Sequence, residues 1–184
     1  MFNSSFEMAR QSGVLLLILA SLPLRSGFGV TGSTTQTLNA SLSPIGKVTA
    51  PSSVALTRGS VAFTTYQATL PVTFRVRTTP TGAGSITMQV TSNFSPAGGP
   101  SVTANTLTYS CTASFGSPCS GSQTASTSTQ TPVLTLPASA CTGGGGACSG
   151  SDPNNVTLTF TLTDDPQYAT GSYSAQVTFT ISAT

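Results

Sequence analysis

Apolar and hydroxyl side chains alternate along most of this chain, and that alternation limits the fold more than any other feature. In residues 173–181 (YSAQVTFTI), Tyr173, Ala175, Val177, Phe179 and Ile181 fall on one side. Ser174, Gln176, Thr178 and Thr180 fall on the other. A period of two is the signature of a β-strand with one apolar face. Residues 155–162 repeat it, with Val156, Leu158, Phe160 and Leu162 set against Thr157, Thr159 and Thr161. So do residues 68–77, through Leu70, Val72, Phe74 and Val76, and residues 85–91, through Ile86, Met88 and Val90. Shorter candidate strands are 37–42, 47–49, 53–56, 107–111 and 133–136. A half-apolar strand must bury that face against another layer. The expected fold is therefore all-β: an antiparallel, Ig-like or pilin-like β-sandwich of about eight or nine strands.

Turn residues punctuate these strands. The stretch 79–84 (TPTGAG) suggests a hairpin joining 68–77 to 85–91, and 164–171 (DDPQYATG) suggests that 155–162 pairs with 173–181. Pro71 places the start of its strand at a sheet edge, because proline donates no ladder hydrogen bond. Residues 92–106 and 113–130 read as loops. Within the second, 120–130 (SGSQTASTSTQ) is low in complexity and reads as a flexible surface loop, open to O-glycosylation or ligand contact.

At the N-terminus the pattern changes. Arg10 precedes an apolar run over 14–24, interrupted only by Ser21 and Pro23. The run is shorter than the ~20 residues of a membrane span and suits the core of an export signal. Residues 1–29 are read as a signal peptide, and 30–184 as a single β-sandwich domain, secreted or displayed at the cell surface. No membrane contact is expected after cleavage.

Export gives the four cysteines a meaning, since an even number in an oxidising compartment implies disulfides. Cys111 with Cys119, and Cys141 with Cys148, each bracket a short Gly/Ser loop and form the expected pairing. The alternative, Cys111 with Cys148 and Cys119 with Cys141, would staple the two loops together. The spacings are not those of a zinc ribbon or finger, and no histidine is present to assist.

Chemistry is hard to build from this composition. Six Lys or Arg and four Asp or Glu make only 5% of the chain charged, and His is absent. That is no nucleic-acid footprint, and it lacks the usual general base. Lys47 and Ser43 are not spaced as a Ser–Lys dyad, and Gly143 to Gly146 lack the residues of a phosphate loop. Asp164 and Asp165 are turn formers beside Pro166. With Asp152 and Asn154 they are also the oxygen donors a calcium ion would need, though not at a known spacing. No enzyme and no cofactor are expected. Arg75 and Arg77 share a strand face, as an anion patch or as solubilising charge. Asn39, Asn93 and Asn155 match the glycosylation sequon, as chance allows where Ser and Thr make up about a third of the residues.

Residues 164–184 (DDPQYATGSYSAQVTFTISAT) resemble the closing strands of bacterial surface β-sandwich modules: fimbrial subunits, spore-coat-U-like proteins and WxL-type cell-wall modules. Gly171, Tyr173, Ala175, Val177, Phe179 and Ile181 carry the resemblance. It implies an extracellular structural or adhesive role, as a pilus-like subunit polymerising by strand donation. Partners would be other copies of the chain or neighbouring surface proteins. The candidate donor is 30–42, with Val30, Leu38 and Leu42 as its sparse apolar anchors. A charge-poor, Thr-rich surface fits self-association, because it lacks the usual deterrent to edge-to-edge pairing. The competing expectation is a monomeric carbohydrate- or surface-binding module, in which Asp164, Asp165 and Tyr168 would form a ligand-contact loop.

Overall fold

The structure, a computed structural model, describes residues 35–79, 81–137 and 154–184. The export-signal reading, Val30, Cys141, Cys148 and Asp152 lie outside them. The chain divides into a unit Met1–Asn39 and a compact unit Ala40–Thr184, and the fold below is that of the second.

Its strands are β1 Ile45–Thr49, β2 Thr57–Arg58, β3 Thr65–Arg77, β4 Gly84–Ser95, β5 Leu107–Ala113, β6 Ser117–Pro118, β7 Gln123–Thr124, β8 Thr131–Leu136, β9 Asn154–Thr163 and β10 Ser174–Ala183. They form two antiparallel sheets. The first has the order β1-β3-β9-β5-β7, with β2 also against β3; the second runs β10-β4-β8-β6. All-β architecture is thus as the alternation demands. Among the described residues, seven strands have five residues or more, and three have two.

The alternation identifies the buried side of every long strand. From the first sheet, Leu70, Val72, Phe74, Val156, Leu158, Phe160, Leu107 and Tyr109 turn inward. From the second, Ile86, Met88, Val90, Leu134 and Leu136 meet them in one cluster. Fully burying each such side chain is worth about 1.5–3 kcal/mol, so this shared core holds the sheets together. In β8 the register against β4 slips between Ile86 and Thr87. That bulge lets the neighbours Val133 and Leu134 both be buried, which strict alternation forbids.

Both expected hairpins prove wrong. β3 and β4 lie in different sheets, and so do β9 and β10. β9 instead sits between β3 and β5, while β10 pairs with β4. The reason is geometric: a period of two reports which face is buried, and crossing to the opposite sheet buries the same face as folding back. Six residues, 78–83, span up to ~20 Å when extended, ample for sheets ~10 Å apart.

Two shorter expectations also fail. Residues 37–42 and 53–56 are not strands. Leu38 and Leu42 stand 91% and 73% exposed. Pro71 is a subtler case. It lies inside β3, opposite Thr157 of β9. On the other side, β2 ends its pairing at Gln67 and β1 begins at Thr73, so Pro71 falls in an unpaired gap. The edge expected from the missing N–H exists locally within a central strand.

At one margin of the fold, β1 approaches β10 of the other sheet. Gly46 makes this possible, because a Cβ there would lie 2.9 Å from Ile181 Cγ1. Gly46→Val is therefore expected to destabilise the protein by about 1–3 kcal/mol, the usual cost of overpacking. Urea unfolding of the variant checks this; an unchanged midpoint would show that β1 does not need its close seat.

Candidate functional site

Four features stand out: a disulfide-bound strap, a cluster of loops at one end, a basic group at the other, and the margin along β10.

The strap is 113–130. Cys111 in β5 is bonded to Cys119 across 5.4 Å between Cα atoms. Cys111 belongs to the first sheet, whereas the Cys119 N–H donates to Val133 O of β8 in the second. The bridge therefore links the two sheets along one margin, a role its short sequence separation does not reveal. The hydroxyl-rich residues that follow are fastened rather than free. β6 adds to β8, and β7 adds to β5. Ala125 N–H donates to Leu107 O, and Ser126 O accepts from Val90 N–H. Gln89 Nε2 donates to Thr127 O, and Thr87 Oγ1 to Gln130 Oε1. Ala125 is buried. The flexible-loop reading is thus corrected. Low complexity concealed short Ser and Thr side chains that satisfy local backbone groups and let the chain thread between two sheet margins. Gly116, with φ +83° and Thr135 O 2.8 Å from where a Cβ would sit, makes the tight turn at the start of the strap.

At one end of the sheets lie 164–173, the turn 59–64 and the 96–106 connection. Asp165 forms a turn: its Oδ1 accepts from Gln167 N–H at 2.9 Å, and its carbonyl from Tyr168 N–H at 3.0 Å. Asp164 N–H donates to Thr64 O. Tyr168 is half-buried. Partial burial first, then the charges of Asp165 and Asp164, push its phenol above the ordinary value of 10. Of the grouping considered for calcium, Asp152 lies outside the described residues, and Asn154 and Asp164 are held apart. Asn154 opens β9 and Asp164 follows its far end, about 30 Å away at the usual rise per residue. Among the described residues no three carboxylate, Cys or His groups gather to hold a metal.

The same end holds a feature the sequence did not mark. Val61 and Phe63 are each 63% exposed, and Phe63 has φ +55°. A bulky residue rarely adopts that left-handed conformation. The tyrosines offer little for stacking on sugars. Tyr109 is buried, with its hydroxyl donating to Pro132 O. The Tyr173 hydroxyl donates to Ala169 O, and its ring lies on Gly99, where no Cβ would fit. Asn93 is likewise committed: its Oδ1 accepts from Phe94 and Val102 N–H groups, and its Nδ2 donates to Ser101 Oγ.

At the opposite end, Lys47 stands directly across from Arg75, beside Arg77. The Arg77 Nε donates to Ser43 O at 2.9 Å, so this guanidinium anchors the chain entering β1.

The fourth feature is the margin along β10. On one side it pairs with β4 over nearly its whole length. On the other side no described strand adds to it. Its inward side chains, Ala175, Val177, Phe179, Ile181 and Ala183, pack on the core but remain only half-buried. No family model, curated protein or solved structure matches the chain.

Replacing both Cys111 and Cys119 by Ser should lower unfolding stability by about 2–3 kcal/mol, the chain-entropy value for so short a loop. Urea unfolding of the double variant measures this, and no loss would mean that the strap holds without its bridge. Alkaline titration gives a second check. Burial raises the Tyr109 phenol against the opposing Thr131 hydrogen bond, and Tyr168 is raised as above. Raised phenols keep their protons in the fold after the unfolded chain begins to lose them near pH 10. Their stabilisation is therefore present below pH 10 and lost as pH climbs through the raised values. Melting temperature should fall above pH 10, and Tyr168→Phe should soften the fall. Ultraviolet titration of the four tyrosines in native and urea-unfolded protein reads the same shift directly.

Proposed function

We propose that this chain is an extracellular structural or adhesive protein, of the Ig-like or pilin-like kind, that associates with its own copies by β-strand addition. The observation that carries the reading is the uncharged margin of the second sheet. Soluble proteins block such edges with charge, proline or brevity, because an unpaired strand is a template for another. Over ten residues β10 carries no charge and no proline, and β1 comes against it at Gly46 and Ile181 without forming a ladder.

Three further features support the reading. The cross-sheet disulfide suits an oxidising, extracellular compartment. Exposed strand faces carry Thr and Ser, so few like charges keep copies apart. Leu38 and Leu42 are exposed and outside any strand, as anchors of a donor segment 30–42 would be before reaching an acceptor. A carbohydrate-binding role has less to recommend it, since every described tyrosine is at least half-buried.

The test is direct. Electron microscopy of the exported protein in its native setting, with size-exclusion chromatography and light scattering after purification, should show filaments or discrete oligomers. A strictly monomeric protein at all concentrations would overturn the reading and favour a binding module.

A further inference from the structure

Three of the chain's six Lys and Arg residues stand together on the outer face of the first sheet. The outward positions of β1 are Ile45, Lys47 and Thr49, and β3 turns Thr73, Arg75 and Arg77 to the same side. The register sets Lys47 opposite Arg75, Ile45 opposite Arg77 and Thr49 opposite Thr73. Like charges directly opposite each other are destabilising in a sheet, so packing of the core gives no reason to place Lys47 there. Among the described residues the side-chain carboxylates are Asp164 and Asp165. They lie by Thr64, at the far end of β3. That is ~40 Å from Arg77 at the usual rise per residue, well beyond the ~8 Å reach of exposed charge in physiological salt.

This corner is shaped as well as charged. Lys47, Thr49, Thr73, Phe74 and Arg75 line a shallow pocket of about 170 Å³. It is smaller than the ~300–1,000 Å³ of drug-sized sites and has room for one substituent of a larger molecule. The bond from Arg77 Nε to Ser43 O holds that guanidinium in place and leaves its remaining N–H donors for a second acceptor. Beyond the corner the face is neutral and rich in hydroxyls. Thr73 continues to Asn155 on β9, and the rows behind it are Thr157 beside Thr112, then Thr69 with Thr159 and Ser110. No aromatic side chain points outward from β1, β3, β5 or β9.

We infer that this face binds an acidic polysaccharide, with a uronate carboxylate at the Lys47–Arg77 corner and neighbouring sugar hydroxyls on the threonine rows. This rests on the adhesive part of the reading above and names its partner's chemistry; self-association is a separate contact. Arg77 meets a carboxylate with parallel hydrogen bonds, and Lys47 meets it as a point charge. Arg75, across from Lys47, adds to the positive field. Threonine hydroxyls both donate and accept, as sugar hydroxyls do. The tyrosines rule out stacking as the route to sugars, but a charged route needs no aromatic group. The same lack of aromatic side chains disfavours single-stranded nucleic acid, which is held by stacking platforms. A lipid surface is held by an apolar face sunk into it, and Ile45 is the one large aliphatic side chain that β1 and β3 turn outward.

Retention of the full exported protein on immobilised polygalacturonate tests this. The protein should be held at ~50 mM salt and released by ~500 mM, because the contact is ionic and exposed. Dextran, which has no carboxylate, should not hold it. Lys47→Gln and Arg77→Gln should each weaken binding roughly two- to fivefold, the span of an exposed ion pair, and Lys47→Arg should preserve it. Arg58→Gln removes the same charge at the far end of β3, where Arg58 pairs with Tyr66, and should leave binding unchanged. Lys47 is exposed, so its variants should keep the parent's melting temperature, which separates a lost contact from a lost fold. No retention, or equal losses for Arg58→Gln and Lys47→Gln, would overturn the inference. So would stronger binding to single-stranded DNA or to phosphatidylserine vesicles than to polygalacturonate. Filaments that assemble without retention would overturn it and leave self-association standing. A strictly monomeric protein that is retained would support it and overturn self-association.

Discussion

Everything in this fold depends on the mutual cover of two half-apolar sheets. Neither β3, β9 and β5 nor β4 and β8 can bury their inward rows alone. Val72, Phe74, Leu158, Ile86 and Met88 are shielded from water because they shield one another. Hydrogen bonds and the disulfide position the sheets, but the burial of these side chains is the term large enough to offset the ordering of the backbone.

The two margins of the paired sheets are treated in opposite ways. Along one, the strap 113–130 contributes a short strand to each sheet, and the Cys111–Cys119 bridge ties one to the other. Its serines and threonines serve as local hydrogen-bond partners, a task that charged side chains perform less compactly. Along the other, β1 comes against β10 through the close approach at Gly46, but among the described residues no strand forms a ladder with β10 on that side. β10 itself carries no charged residue.

Charge is sparse, yet its placement is orderly. Lys47, Arg75 and Arg77 gather where β1 meets the end of β3. Asp164 and Asp165 lie by Thr64, at the start of β3. The Asp165 side chain and the Asp164 backbone N–H take part in the turn that leads from one sheet to the other. Tyr168 sits in that turn and feels both carboxylates, a local electrostatic consequence of the crossing.

The sequence by itself determined the element type and the buried face of most long strands, and it favoured the Cys111–Cys119 pairing over a cross-link between two loops, a choice the structure made. All three are local properties: side-chain alternation is read within one strand, and two cysteines eight residues apart close their own loop. Only the tertiary structure decided which strands are neighbours. It moved β4 and β10 across to the second sheet, found Pro71 a gap inside a central strand and fastened the low-complexity strap. It also set β10 at a sheet margin. The physical reason is common to all of these. An apolar face is satisfied by any apolar cover, so periodicity leaves the partner undetermined, and packing of the whole chain chooses among the partners.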